Sequence, residues 1–256
     1  MKFLPVPKIL KWTPSIPQHY SVDRGILLTS GCSFTANTLQ TDFCASWPGF
    51  VLDRCGFEYC VDWSYPGAGN EFIGDSIMYQ IDAFNNAERE KCIVIVMWSG
   101  IDRKEQKIIN SNIQPLIGGV EYQRISNVNK FAKFDKSIVA QESADKIFEV
   151  KKYLEDKNIP YVFSFYSNLL FPPYIPKRDT THEFEGYVDK NTLAQLRAIP
   201  WIPNRPMDFM FEYAFKNNLL HDDLFHPGPT CSEKWTDEIL LPEMFNRGMI
   251  KNHESN

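Results

Sequence analysis

The run CIVIVMW, Cys92 to Trp98, constrains the fold more than any other stretch of this sequence. It offers no charged side chain to solvent and is rich in β-branched residues, so it reads as a strand buried on both faces. Such a strand needs helices above and below it, the usual setting of a parallel sheet. The neighbouring segments supply them. Asn70 to Asn85 carries Ile73, Ile77, Ile81 and Phe84 at helical spacing, and Gln141 to Lys157 repeats the pattern through Ile147, Val150 and Leu154.

Further elements follow the same alternation. Ile26 to Thr29 reads as the first strand, Glu58 to Ser64 as a second and Pro160 to Tyr166 as another buried one. Ser46 before Trp47 and Pro48 marks a helix start, because a serine cap and an early proline both suit the unpaired N–H groups there; that helix ends near Gly56. Helices near Met207 to Asn217 and Ser232 to Phe245 close the chain. Strands separated by helices imply right-handed crossovers, hence an α/β fold: a three-layer α/β/α sandwich with a central, mostly parallel, flavodoxin-like sheet.

At 256 residues the chain suits a single domain, 1–256. Residues 1–24, broken by prolines and lysines, read as an irregular N-terminal arm. Residues 104–140 are polar and give no clear assignment. Residues 168–206, with Pro172, Pro173, Pro176, Pro200, Pro203 and Pro206, read as an insertion or lid over the carboxyl edge of the sheet.

Charge and composition exclude several function classes. A net charge of -5 without a cluster of Lys and Arg argues against nucleic-acid or anionic-membrane partners, which need phosphate neutralisation. No apolar run approaches the roughly 20 residues of a membrane-spanning helix. The opening MKFLPVPKIL lacks the uninterrupted apolar core of a secretion signal. Irregularly spaced cysteines, six in all, suit reduced thiols, so a cytoplasmic location is expected.

Two stretches carry chemistry. In LLTSGCSFTANT the first strand stops at a glycine turn before a helix, which leaves a small side chain at the carboxyl edge of the sheet; Ser33 is the best nucleophile there. In HDDLFHPGP, Asp223 and His226 are three apart in a loop closed by Pro227 and Gly228. A carboxylate folding back onto Nδ1–H would fix the imidazole tautomer and leave Nε2 to take a proton from a hydroxyl. Two other readings compete: Cys32 as the nucleophile, and a metal held by His221, Asp222, Asp223 and His226. Adjacent residues on a turn point different ways, and the histidine spacing does not suit ligands on one helical face, so neither is preferred.

These residues resemble the SGNH or GDSL-type serine esterases. Gly31-Cys32-Ser33-Phe34 is similar to the family's first block, with Cys in place of Asp, and the nucleophile maps to Ser33. Tyr65-Pro66-Gly67-Ala68-Gly69-Asn70 answers to the second block, with Gly67 as the oxyanion donor. Trp98-Ser99-Gly100-Ile101-Asp102 answers to the third, but Ile101 stands where the family has an asparagine donor. Asp223-Leu224-Phe225-His226-Pro227 matches the last block in full.

The resemblance implies a cofactor-free and metal-free ester hydrolase with Ser33, His226 and Asp223 as its triad. Its oxyanion would be held by the N–H groups of Ser33 and Gly67, with Asn70, Ser99 or Arg103 replacing the missing asparagine. Trp98, Asp102, Tyr174 and Trp201, with Phe209, are the expected substrate contacts, suited to a small ester or an O-acetylated carbohydrate. The alternative is a catalytically weakened module on the same fold that binds glycans or serves as a virus or phage particle component. Oligomeric state has no signature in the sequence.

Overall fold

The computed structural model describes residues 2–3, 7–11, 20–23, 25–36, 46–101, 103, 105–109, 120–124, 135–171, 184–221 and 226–252. In chain order the elements are β1 (Lys2–Phe3), β2 (Lys8–Lys11), β3 (Tyr20–Ser21), β4 (Ile26–Gly31), α1 (Ser33–Ala36), α2 (Trp47–Cys55), β5 (Tyr59–Asp62), α3 (Asn70–Ala83) and α4 (Asn86–Glu90). They continue with β6 (Cys92–Trp98), β7 (Glu105–Ile109), β8 (Val120–Arg124), α5 (Lys136–Asp156), β9 (Tyr161–Phe165), α6 (Lys190–Ala198), α7 (Met210–Lys216), α8 (Pro229–Trp235), α9 (Leu241–Asn246) and β10 (Lys251–Asn252).

The central sheet has the order β2-β5-β4-β6-β9. The pairs β5/β4, β4/β6 and β6/β9 are parallel, and β2 joins β5 antiparallel at the edge. Every residue of β4 and β6 is buried, which requires cover on both faces. The helices form two groups that supply it. One pairs α3 with α5; the other gathers α2, α7, α8 and α9. Polar ties fasten each group: Lys146 of α5 bonds Asp75 of α3 at 2.9 Å, and Arg54 of α2 reaches Glu233 at 2.8 Å and Asp237 at 3.2 Å.

This order explains where a site can form. From β4 the chain crosses to β5 on one side, then returns past β4 to β6 on the other. The connections therefore diverge at the carboxyl end of β4, leaving an opening there of the kind that open α/β sheets use for ligands.

Several elements depart from the sequence expectation. Residues 8–11 of the supposedly irregular arm form edge strand β2, with Leu10 packed on the core and lysines at both ends. Lysines and nearby prolines are what blunts an edge strand, so the signal that read as an irregular arm belongs, at residues 8–11, to an edge. Within 104–140, β7 and β8 pair antiparallel, and β1 adds to β8. Within 168–206, α6 buries Leu193 and Leu196, and Trp201 bridges to Phe163 of β9; residues 172–183 lie outside the described residues. The last helix is divided by a π-helical turn, Thr236–Leu240, before α9. Pro242 accounts for it, having no N–H for the carbonyl one turn earlier and a ring that crowds that carbonyl. Among the described residues, no helix is long and apolar enough to cross a membrane.

The end of β4 has no room for a side chain at Gly31. A Cβ at Gly31 would collide with the Thr35 hydroxyl and lie 3.0 Å from the Met97 carbonyl oxygen. Gly31→Ala should therefore destabilise the protein by about 1–3 kcal/mol, the usual cost of overpacking. A lowered denaturant midpoint with an unchanged m-value would show it.

Candidate active site

Ser33 owes its position to the way β4 stops. The Gly31 carbonyl accepts from Tyr65 N–H at 3.0 Å, and the Cys32 carbonyl accepts from Thr35 N–H at 3.0 Å and Ala36 N–H at 2.9 Å. The chain thus turns from strand to helix within one residue, and Ser33 opens α1 at the carboxyl edge of the sheet. Cys32 faces the core and is fully buried, so the thiol is not offered to the opening.

His226 meets Ser33 from the far end of the chain, with Nε2 3.1 Å from Oγ across a sequence separation of 193. With Nδ1 protonated, the hydroxyl donates and Nε2 accepts. The neck of the histidine loop is pinned by two backbone bonds, His221 N–H to the His226 carbonyl at 2.7 Å and Gly228 N–H to the Leu219 carbonyl at 3.0 Å. The imidazole also lies against the ring of Phe34, centroids 5.5 Å apart, and Phe34 in turn packs on Tyr166 at 4.8 Å. Asp223, with residues 222–225, lies outside the described residues.

On the other side of Ser33, the Tyr65-Pro66-Gly67-Ala68 turn closes with Ala68 N–H donating to the Tyr65 carbonyl at 3.0 Å. Gly67 has φ 76°, and proline followed by a positive-φ glycine is the pattern of a type II turn. Beneath it lies a polar cluster with no sequence signal beyond an acid ending an apolar strand. Thr29 Oγ1 donates to Asp62 Oδ1 at 2.8 Å, Ser64 N–H donates to the same oxygen at 3.0 Å, and Ser64 Oγ donates to Oδ2 at 2.6 Å. Burial pushes the Asp62 pKa up, against the lowering effect of these donors and of Lys8.

The remaining predicted site residues divide sharply. Asn70 is spent on structure: its Nδ2 donates to the Ser99 carbonyl at 3.0 Å, and its Oδ1 accepts from Ser99 N–H at 2.8 Å. Ser99 is sealed from solvent, its hydroxyl without a hydrogen-bond partner among the described residues. Ile101 is buried in the core. Arg103 is half-buried, with its guanidinium 5.8 Å from the centroid of the Tyr166 ring.

Trp98 and Trp201, expected to contact substrate, are core side chains instead. Trp98 packs edge-on to Phe163, while Trp201 stacks on Phe165 at 4.4 Å and donates its indole N–H to the Leu196 carbonyl at 2.7 Å. Their size explains the difference: large rings at the rim of a sheet are drawn into its apolar layers. Phe209 is likewise buried. Asp102 and Tyr174 lie outside the described residues. Among the described residues, no three His, Cys, Asp or Glu side chains converge as metal ligands do.

No protein-family model matches the sequence, and no curated protein matches it. Solved structures do. TesA superposes with a TM-score of 0.52 at 14% identity, over 86% of this chain and 97% of TesA. The chain has the SGNH-hydrolase fold. A member of the lipolytic protein G-D-S-L family from Veillonella parvula gives a TM-score of 0.49 at 9% identity, over 87% of this chain and 98% of its own. The psychrotrophic esterase EstA from Pseudoalteromonas sp., in a structure inhibited by monoethylphosphonate, gives 0.47 at 11% identity, over 88% and 98%.

The Asn70 clamp joins the start of α3 to the loop after β6, two walls of the opening. Asn70→Ala leaves the buried N–H and carbonyl of Ser99 without these partners and should cost about 1–3 kcal/mol for each group left unpaired. Chemical denaturation of the variant beside the wild type measures it.

Proposed function

We propose that this chain hydrolyses carboxylic esters through an acyl-enzyme on Ser33. The observation that carries the reading is the hydrogen-bond distance between Ser33 Oγ and His226 Nε2, 3.1 Å, at the carboxyl edge of the sheet. In the proposed mechanism His226 removes the hydroxyl proton as Oγ bonds to the ester carbonyl carbon. The carbonyl π electrons move to oxygen, where the N–H groups of Ser33 and Gly67 meet them. Collapse of the tetrahedral intermediate expels the alkoxide, which takes the proton from the imidazolium and departs as the alcohol. Water, deprotonated by the same imidazole, then bonds to the acyl carbon; the bond to Ser33 Oγ breaks, Oγ takes the proton back from the imidazolium, and the acid leaves. Asp223 is assigned the orienting of His226.

The natural substrate in this reading is a small ester, with an O-acetyl or other short acyl group on a carbohydrate as the first choice. Asp102 and Tyr174 are the proposed contacts to the alcohol portion. Ile101 favours a second reading, a binding or structural module with weakened catalysis, because a buried apolar side chain supplies no hydrogen bond to an oxyanion.

Release of p-nitrophenol from p-nitrophenyl acetate separates the two. The wild type should turn over, while Ser33→Ala and His226→Gln should each lose about 10³-fold or more in kcat/KM. Equal rates from wild type and Ser33→Ala would withdraw the esterase reading.

A further inference from the structure

We propose that Asp62 is a positioning residue of this site, the anchor that holds the Tyr65–Ala68 turn where its Gly67 N–H meets the oxyanion. The inference rests on the ester-hydrolase reading above and adds a group that no part of that mechanism uses.

The geometry runs without a break from Asp62 to Ser33. Thr29 and Asp62 are register partners in the parallel β4/β5 pair, and the Thr29 hydroxyl joins them side chain to side chain at 2.8 Å. The carboxylate then holds Ser64 twice, through its N–H at 3.0 Å and through its hydroxyl at 2.6 Å. The next residue, Tyr65, donates its N–H to the carbonyl of Gly31, which stands two residues before Ser33 in the sequence. Tyr65 also accepts the bond that closes the turn around Gly67. The turn is thereby referenced to the strand that leads to Ser33, and the Asp62 side chain grips both β4 and the chain entering the turn.

A carboxylate is an expensive choice for a purely structural post. Asp62 is 1% exposed, and its hydrogen-bond donors are neutral. The charged and titratable groups facing it are Lys8, its register partner on β2, and the buried Cys60. Burying an ion on such terms costs stability, and an apolar side chain would fill the place more cheaply. What a carboxylate provides is two fixed acceptors that orient Thr29 and Ser64 together. That is a geometric service, and it is directed at the turn.

The test uses the full chain and p-nitrophenyl acetate. Ser64→Ala deletes one grip and Asp62→Ala deletes all; each should lower kcat about tenfold or more while KM stays within about twofold. Asp62→Asn, which keeps Oδ1 as the acceptor for Thr29 and for Ser64 N–H and can donate its Nδ2–H to Ser64 Oγ in place of the bond to Oδ2, should retain most of the wild-type kcat. Should Asp62→Ala fail to fold, Ser64→Ala carries the test alone, because it removes a single hydrogen bond. An unchanged kcat in folded Ser64→Ala, or a raised KM with kcat intact, would overturn the proposal. A wild-type protein with no esterase activity would instead remove the ester-hydrolase reading, and this inference with it.

Discussion

A single hydrogen-bonded contact, Ser33 Oγ to His226 Nε2, is what the rest of the molecule is arranged to make. Neither side chain could find the other through local structure, since one follows the first parallel strand and the other lies in a loop near the end of the chain. The sheet solves the problem. Fully buried β4 and β6 fix the carboxyl edge as a rigid rim, and the reversal of strand order beside β4 opens that rim for loops to enter. Ser33 is delivered by the strand itself, and His226 by a loop whose neck is closed with backbone bonds.

Polar groups in the buried rim serve alignment more than cohesion. Asn70 spends both ends of its amide on the backbone of Ser99, and Asp62 spends both oxygens on Thr29 and Ser64. Asn70 ties the start of α3 to the loop after β6, and Asp62 ties strand β4 to the chain entering the Tyr65–Ala68 turn, with a directionality that apolar packing lacks. The aromatic side of the site works differently. Phe34, one residue beyond Ser33, sits between Tyr166 and the imidazole, so the rotamer of His226 is limited by packing as well as by its bond to Ser33.

Much of the frame was legible in the sequence because its signals are physical necessities. The Cys92 to Trp98 run is a strand at those residues, and the helices carrying Ile73, Ile77 and Ile81, and Ile147, Val150 and Leu154, cover the sheet as their spacing requires. The places of Ser33, just past the end of the first strand, and of His226, in a loop closed before Pro227, follow from turn chemistry and loop spacing, and the structure brings the two side chains within 3.1 Å. Side-chain fate was not. Trp98 and Trp201 read as substrate contacts, yet burial drew them inward, and Asn70 read as one of three candidates, with Ser99 and Arg103, for an oxyanion donor, yet a backbone partner claims its amide. Edge strand β2 and the pairing of β7 with β8 depend on contacts distant in sequence, for which local periodicity holds no record.

The central claim is that Ser33 is a nucleophile activated by its contact with His226. Intact-mass spectrometry after exposure to diisopropyl fluorophosphate, followed by peptide mapping, tests it most directly. The account predicts one phosphoryl adduct, located on Ser33 and absent from the Ser33→Ala protein. A wild-type chain that stays unlabelled, or an adduct that persists at full yield when Ser33 is gone, would contradict it.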